Sequence, residues 1–275
     1  MAQDKLRDAF CEPVGVTELA EGKAFDLIFV NGPDRARVAL EGAFDRTDVV
    51  VQPILGRIKR LLVADMDSTM ITVECIDELA DYAGIKAQIA EVTEAAMRGE
   101  LDFAEALDAR VALLKGLDAG AIDRCLAERV ELMPGARVLV QTMKEQGAHT
   151  ILVSGGFTRF AGPVGAQIGF DRVIANELVI ESGALNGAVT KPIVDSGTKE
   201  RTLLDALGER GLTAGSALAV GDGANDLAMI KQAGLGVAYH AKPIVAAAAG
   251  ARIDHNDLTA LLYAQGLFPE QWVTD

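Results

Sequence analysis

The stretch LLVADMDST (Leu61–Thr69) opens with four apolar or small residues and turns at once into Asp65, Met66, Asp67, Ser68 and Thr69. Four such residues in a row read as a short strand buried on both faces, the kind that parallel sheets use. Two carboxylates where a buried strand runs out cost stability unless something engages them. Two further segments repeat the pattern. HTILVS (His149–Ser154) runs into Gly155-Gly156, and SALAVGD (Ser216–Asp222) runs into Gly223-Ala224-Asn225-Asp226. Helical stretches stand beside them, as in GARVLVQTMKEQG and GTKERTLLDALGERG, and DRVIAN reads as a fourth strand. Apolar strands separated by helices predict an α/β fold with a parallel sheet flanked by helices.

In such a sheet the carboxyl ends of the strands converge on one edge, where open α/β folds bind their ligands. Convergence gathers Asp65, Asp67, Asp222 and Asp226 with the Ser154 hydroxyl and glycine-rich backbone. A lone aspartate at a strand end is ordinarily a cap or turn residue, and Lys199 alone reads as a solvated helix residue. The joint arrangement on successive strand ends is what points to a site. Four packed carboxylates repel and resist ionisation unless a cation neutralises them. An all-oxygen cluster suits Mg²⁺, which takes a few carboxylates plus water and substrate phosphate.

The rest of the chain is read around this core. AFDLIFV, PDRARVALEGAF and TDVVVQP predict a small β-α-β segment over residues 1–57. Residues 58–72 and 134–275 form the core, and residues 73–133 a helical insertion after the first core strand, with Ile76, Leu79, Ala80 and Ala83 at helical spacing. An insertion there sits over the strand ends and can act as a lid. NELVIESGALNGAVT alternates about Ser182-Gly183 and predicts a hairpin at one edge of the sheet.

Composition narrows the chemistry. The chain has 275 residues, half of them hydrophobic, enough for one or two domains. A formal charge of -14 argues against nucleic acid or an anionic membrane as partner. Cys11, Cys75 and Cys125 are far apart, without C-x-x-C spacing, and with three histidines they make no zinc cluster. Reduced thiols fit a cytoplasmic protein. Met1–Pro13 holds acids at Asp4 and Asp8 and no apolar core of a secretory signal. The longest apolar run, Pro243–Ala251, is about half a membrane span.

Phosphoryl transfer needs a nucleophile in line with phosphorus, cations on the equatorial oxygens and a proton for the leaving group. The chain has no Ser-His pair, catalytic Cys environment or G-x-x-x-x-G-K-[ST] loop. A carboxylate is then the best nucleophile, giving an aspartyl-phosphate at Asp65, with Mg²⁺ and Lys199 offsetting the charge. Asp67, two residues on, can serve as general acid and then base.

These residues resemble the four motifs of the haloacid dehalogenase-like phosphohydrolase superfamily: D-x-D-x-T at Asp65–Thr69, then Ser154, Lys199, and G-D-G-x-N-D at Gly221–Asp226. From about Leu61 to Lys242 the chain further resembles the phosphoserine phosphatase family, in DMDSTMITVECIDELA, EAAMRGELDFAEALDARVALLKG, ILVSGGF and AVGDGANDLAMIKQAGLGVAYHAKP. The resemblance implies a Rossmann-like core with a helical cap over residues 73–133 that sets substrate specificity. It implies a metal site from Asp65, the main-chain carbonyl of Asp67 and Asp222, with Asp226 and Asn225 supporting it. Ser154 and Gly155, with Asn225 nearby, would hold the phosphoryl group.

On the cap it implies Glu74 facing a substrate ammonium, Arg110 facing its carboxylate, and Met97 and Phe103 closing over both. Read without the resemblance, Arg110 pairs with Glu105 or Asp102, and Met97 and Phe103 are ordinary packing. The substrate so implied is O-phospho-L-serine, hydrolysed to L-serine and phosphate at the last step of serine biosynthesis. Transfer of the phosphoryl group to a small alcohol such as homoserine, action on another small phosphomonoester, and a phospho-acceptor signalling switch stay open. So do a regulatory or dimerisation role for residues 1–57 and a homodimer. Ala228 departs from the family pattern, where proline is common.

Overall fold

A computed structural model describes residues 1–98 and 100–274, Met97 by its backbone alone. The N-terminal segment is α1 (Ala2–Asp8), an antiparallel hairpin of β1 (Pro13–Ala20) and β2 (Ala24–Phe29), and α2 (Pro33–Leu40). Leu6, Cys11, Ala36 and Leu40 form its own small core. The β-α-β expectation is therefore corrected to α-β-β-α. TDVVVQP forms no strand and joins no sheet. Its Asp48 carboxylate instead accepts the backbone N–H groups of Asp254, His255 and Asn256, at 2.8, 3.3 and 3.0 Å. Side-chain bonds of this kind compete with a ladder, and Pro53 has no N–H to give one.

The core begins with β3 (Leu61–Ala64). Four helices follow: α3 (Cys75–Tyr82), α4 (Lys86–Met97), α5 (Phe103–Leu113) and α6 (Gly120–Arg129). The chain returns through α7 (Ala136–Glu145), β4 (His149–Phe157), α8 (Thr158–Ile168) and β5 (Arg172–Asn176). A hairpin of β6 (Leu178–Glu181) and β7 (Ala184–Val189) leads to α9 (Ser196–Glu209) and β8 (Ala217–Gly221). The end of the core is α10 (Leu227–Gln232), β9 (Leu235–Tyr239), α11 (Pro243–Ala248), β10 (Ala251–Ile253) and α12 (Ala260–Ala264).

Six strands form one parallel sheet in the order β10-β9-β8-β3-β4-β5. All four residues of β3 are fully buried. Leu62 and Ala64 face one core cluster, with Leu139 of α7 and Phe160 of α8. Leu61 and Val63 face the other, with Leu203 and Ala206 of α9. That is why the run reads as continuously apolar: each Leu or Val side chain buried on either face contributes about 1.5–3 kcal/mol. Among the described residues no helix is long and apolar enough to cross a membrane.

The helical insertion enters and leaves side by side. Thr72 N–H donates to Glu131 O at 3.0 Å and Met133 N–H to Met70 O at 2.9 Å, about a bridge between Ile71 and Leu132. It is tied down again at its far end. The loop between α5 and α6 bonds to the β6–β7 hairpin through Gly116 N–H to Leu185 O (2.8 Å) and Leu185 N–H to Leu117 O (2.9 Å). The hairpin is thus not an edge of the main sheet, as its alternation suggested, but a separate small sheet beneath the inserted helices.

Candidate active site

From β3 the chain builds β4 and β5 on one side, then β8, β9 and β10 on the other. The crevice at that reversal lies between the carboxyl ends of β3 and β8, where ligands of open α/β sheets bind. Asp65 follows β3 and Asp222 follows β8, and the Asp65 N–H continues the ladder to Val220 O at 3.0 Å. Gly221 is required here, because a Cβ at that position would collide with the Asp226 carboxyl.

Lys199, in the first turn of α9, is 1% exposed. Its Nζ sits 2.7 Å from Asp65 Oδ1 and 2.7 Å from Asp226 Oδ1. Burial works against the ammonium, but the two carboxylates outweigh it and hold Lys199 well above its ordinary pKa. Asp226 is wholly buried and also accepts the Gly223 N–H at 3.0 Å. Burial and then the Asp65 charge push its pKa up, against the pull of Lys199. The same two causes, in the same order, push Asp222 up to about 6. Oxygens of Asp65, Asp222 and Asp226 lie within 4.8 Å of one another. Three carboxylates against one ammonium leave an excess of negative charge, and the donors are all hard oxygens. A divalent metal ion fits this cluster and would reverse the upward shifts.

Asp67 points elsewhere. Its Oδ1 accepts the backbone N–H of Cys75, first residue of α3, at 2.9 Å, and its Oδ2 accepts the Ser154 hydroxyl at 3.3 Å. Burial first, then the charges of Glu74 and Asp65, push its pKa up to about 7. A carboxyl poised near neutrality can give and take a proton at working pH. Ser154, fully buried, also accepts the Gly156 N–H on its hydroxyl at 2.8 Å. A Cβ on Gly156 would come within 2.8 Å of Asp67 Oδ2 and 3.0 Å of Ser154 Oγ, so glycine alone admits this approach. β4 does not stop at Ser154 but runs on to Phe157, with an irregularity in its pairing to β5.

The inserted helices bring Glu74 and Arg110 to the same region. Glu74 stands at the N-terminus of α3 and accepts the Ser68 hydroxyl at 2.7 Å. Burial raises its pKa, against that hydrogen bond. Arg110 donates to Ala106 O at 3.2 Å and, among the described residues, has no carboxylate within salt-bridge distance. Burial lowers its pKa, while Asp77, Glu74 and Asp67 oppose that with their charge. Asp102 and Glu105 are occupied with each other's backbone N–H groups, at 2.8 and 2.9 Å, so neither answers Arg110. Phe103 is 37% exposed, and its ring tip is 3.3 Å from where a Cβ on Gly155 would stand. Asn225 is half-buried and packs against Gly223. The side chain of Met97, expected to close the same space, lies outside the described residues.

Two residues here escaped the sequence reading. Ser68, with φ of 52°, aims its hydroxyl at Glu74. Asn176, at the end of β5, holds the Gly155 carbonyl at 2.7 Å. The signal for the second was present, a polar amide ending an apolar strand, but it also fits an ordinary turn.

The family model for haloacid dehalogenase-like hydrolases matches residues 62–231. The chain belongs to that family. Similarity within the family is specific. This hydrolase is 46% identical over 241 residues to a phosphoserine phosphatase of Streptomyces coelicolor, covering 87% of this chain and 58% of that one. To a phosphoserine phosphatase of a Polaromonas species it is 47% identical over 208 residues, covering 74% of this chain and 88% of that one. Its fold is similar to the crystal structure of a probable phosphoserine phosphatase from Vibrio cholerae, with TM-score 0.79, 33% identity and coverage of 96% and 81%. The hydrolase thus spans less than two thirds of the length of the S. coelicolor relative.

Proposed function

We propose that the chain is an Mg²⁺-dependent phosphatase that hydrolyses O-phospho-L-serine to L-serine and phosphate. The observation that carries the substrate is the opposed pair Glu74 and Arg110. One is a solvent-facing carboxylate held by the Ser68 hydroxyl and the other, among the described residues, a half-buried guanidinium without a protein carboxylate, both close enough to Asp67 to feel its charge. A ligand with an ammonium and a carboxylate beyond its phosphate satisfies both, and Arg takes a carboxylate in two-pronged fashion. Relatives that carry the name phosphoserine phosphatase support the same reading.

Asp65 and Asp222, with the main-chain carbonyl of Asp67, would hold the metal, and Asp226 beside them would support it. Bound there, Mg²⁺ would supply positive charge to the phosphoryl oxygens. Asp65 Oδ1 is held by Lys199 and by the Met66 N–H at 2.8 Å, which leaves Oδ2 to attack phosphorus. The P–O bond to serine breaks as Asp67 gives its proton to the departing oxygen. Asp67 then takes a proton from water, which attacks phosphorus, frees phosphate and restores the Asp65 carboxylate. Ser154 and Gly155, with Asn225, hold the phosphoryl oxygens, and Lys199 offsets the charge on Asp65. Phe103 closes over the serine moiety.

The test is phosphate release from a panel of phosphomonoesters with and without Mg²⁺. Phosphoserine should exceed phosphothreonine, glycerol phosphate and nucleotides by a wide margin. Equal rates across the panel would defeat the Glu74 and Arg110 assignment while leaving the catalytic core intact.

A further inference from the structure

We infer that Asn176 is the positioning residue that sets the phosphate-binding backbone and the lysine-bearing helix in one frame. Three facts carry this. Asn176 is 2% exposed, so its amide has no water to fall back on. Its Nδ2 donates to Gly155 O at 2.7 Å, and its Oδ1 accepts the Val194 N–H at 2.8 Å. The two partners belong to different parts of the site.

The first bond acts through one peptide plane. In a trans peptide the carbonyl of Gly155 and the N–H of Gly156 point in opposite directions. Asn176 holds the carbonyl on one side, so the Gly156 N–H is turned to the other, where it donates to Ser154 Oγ at 2.8 Å. That hydroxyl in turn donates to Asp67 Oδ2 at 3.3 Å. Neither Gly155 nor Gly156 has a side chain to limit its backbone, so this plane needs an external hold. Asn176 provides it, at the place where the pairing of β4 with β5 is irregular.

The second bond acts on α9. Val194 precedes Asp195, whose side chain caps α9 by accepting the Thr198 N–H at 2.7 Å. The Lys199 N–H donates to Asp195 O at 3.1 Å. Fixing Val194 therefore fixes where the first turn of α9 begins, and with it the root of Lys199. One amide uses its donor on the group that binds phosphoryl oxygens and its acceptor on the approach to the charge that neutralises Asp65. A displacement of about 1 Å in such a frame can cost on the order of a hundredfold in rate.

This inference rests on the phosphatase reading, and the experiment separates the two. Asn176→Asp keeps an acceptor for Val194 but loses the donor to Gly155; Asn176→Ala loses both without adding charge. Both should lower kcat/KM for O-phospho-L-serine by about ten- to a hundredfold and weaken inhibition by inorganic phosphate severalfold, measured per folded molecule by circular dichroism. Unchanged kinetics in Asn176→Ala, whatever its melting temperature, overturn the proposal, because a purely structural residue would alter stability alone. A fall confined to Asn176→Asp overturns it as well, since charge repulsion would explain it.

If the unaltered protein releases no phosphate from any ester, the phosphatase reading fails and amide exchange decides. Loss of Gly156 N–H protection in Asn176→Asp with Val194 protection kept supports the frame, and retention at Gly156 overturns it. If neither variant folds, protected Gly156 and Val194 amides in the unaltered protein support it, and free exchange at both overturns it.

Discussion

The backbone N–H of Cys75 donates to Asp67 Oδ1 at 2.9 Å, so the first residue of the inserted helices grips the carboxyl that follows the first core strand. The placement of the insertion and the proton-transfer group are therefore one geometric problem. Proline is tolerated at a first helical position, where its missing N–H breaks no helix bond. Cys75→Pro should keep α3 and delete this single contact. Hydrogen bonds to charged groups are worth about 1.5–3 kcal/mol, so kcat should fall on the order of ten- to a hundredfold. Cys75→Ala keeps the N–H and should stay near the parent enzyme in steady-state assays. Equal losses in both would assign the effect to packing of the thiol.

Asp67 serves both chemical steps, but its loss should weigh most on the second, because an amide can still hydrogen-bond the departing oxygen yet cannot take a proton from water. General acid–base groups contribute about 10²- to 10⁴-fold, and Asp67→Asn should lose turnover within that range. Stalled hydrolysis should then leave phosphate on Asp65, detectable as an acid-stable mass increase on the intact chain. Undiminished turnover would remove Asp67 from the mechanism and revive the signalling alternative.

Arg110 should govern substrate choice. Removing one partner of a buried charge pair costs roughly 2–5 kcal/mol, so Arg110→Ala should cut kcat/KM for phosphoserine by at least about thirtyfold. Phosphoethanolamine, which has the ammonium but no carboxylate, should be hydrolysed equally by parent and variant. A parallel loss on both substrates would mean that Arg110 supports the fold rather than the substrate.

The carboxylate cluster makes a two-sided forecast for metal removal. Chelation should abolish activity and lower the melting temperature, because a ligand that binds only the folded state stabilises it by about 2.7 kcal/mol at a hundredfold its Kd. Asp222→Asn relieves repulsion from Asp65 and should raise the melting temperature of the metal-free protein while blunting its response to Mg²⁺. Calorimetry in chelator and in Mg²⁺ reads both effects, and a full Mg²⁺ response in the variant would take Asp222 out of the metal site.

Acid stability should depend on Asp171, remote from the site. Burial pushes its pKa up, but Lys144 at 2.9 Å and the Thr150 N–H at 2.9 Å outweigh that and hold it below the ordinary carboxylate value of 3.8. A lowered carboxylate pKa contributes stability in full above the unfolded value and loses it as pH falls through the folded one. His149, 3.2 Å from Asp171, has its pKa lowered from 6.5 by burial first and then by Arg210, so it too costs stability once pH falls below about 6.5. Melting temperature should therefore drop between pH 6.5 and 3, and Asp171→Asn should flatten the part of that drop below about pH 4. A profile identical to the parent would discount the Lys144–Asp171 contact.

Much of this molecule is legible in its sequence. Runs such as Leu61–Ala64 and Ala217–Gly221 are buried on both faces, so their composition alone betrays a parallel sheet, and the residues after each run declare the chemistry. The N-terminal segment was misread for the opposite reason. Val49–Val51 has the composition of a strand, but Asp48 spends its acceptors on the loop after β10 and no neighbouring strand is left to pair with. β1, with Gly15 and Glu18 inside it, is held by pairing to β2 rather than by its own propensity.

By itself, the sequence determined that Asp65, Asp67, Asp222 and Asp226 end their strands together and that Lys199 and Ser154 lie on elements of the same core, since local periodicity and strand polarity suffice for that. Only the tertiary structure decided which groups touch. It set β8 rather than β5 beside β3, so that Asp65 and Asp222 share a crevice, and it placed Lys199 between Asp65 and Asp226. It also turned Asp67 toward Cys75 and Ser154 and gave Asn176 its two partners. Those pairings depend on strand order and on contacts between residues far apart in the chain, and no local pattern of side chains encodes them.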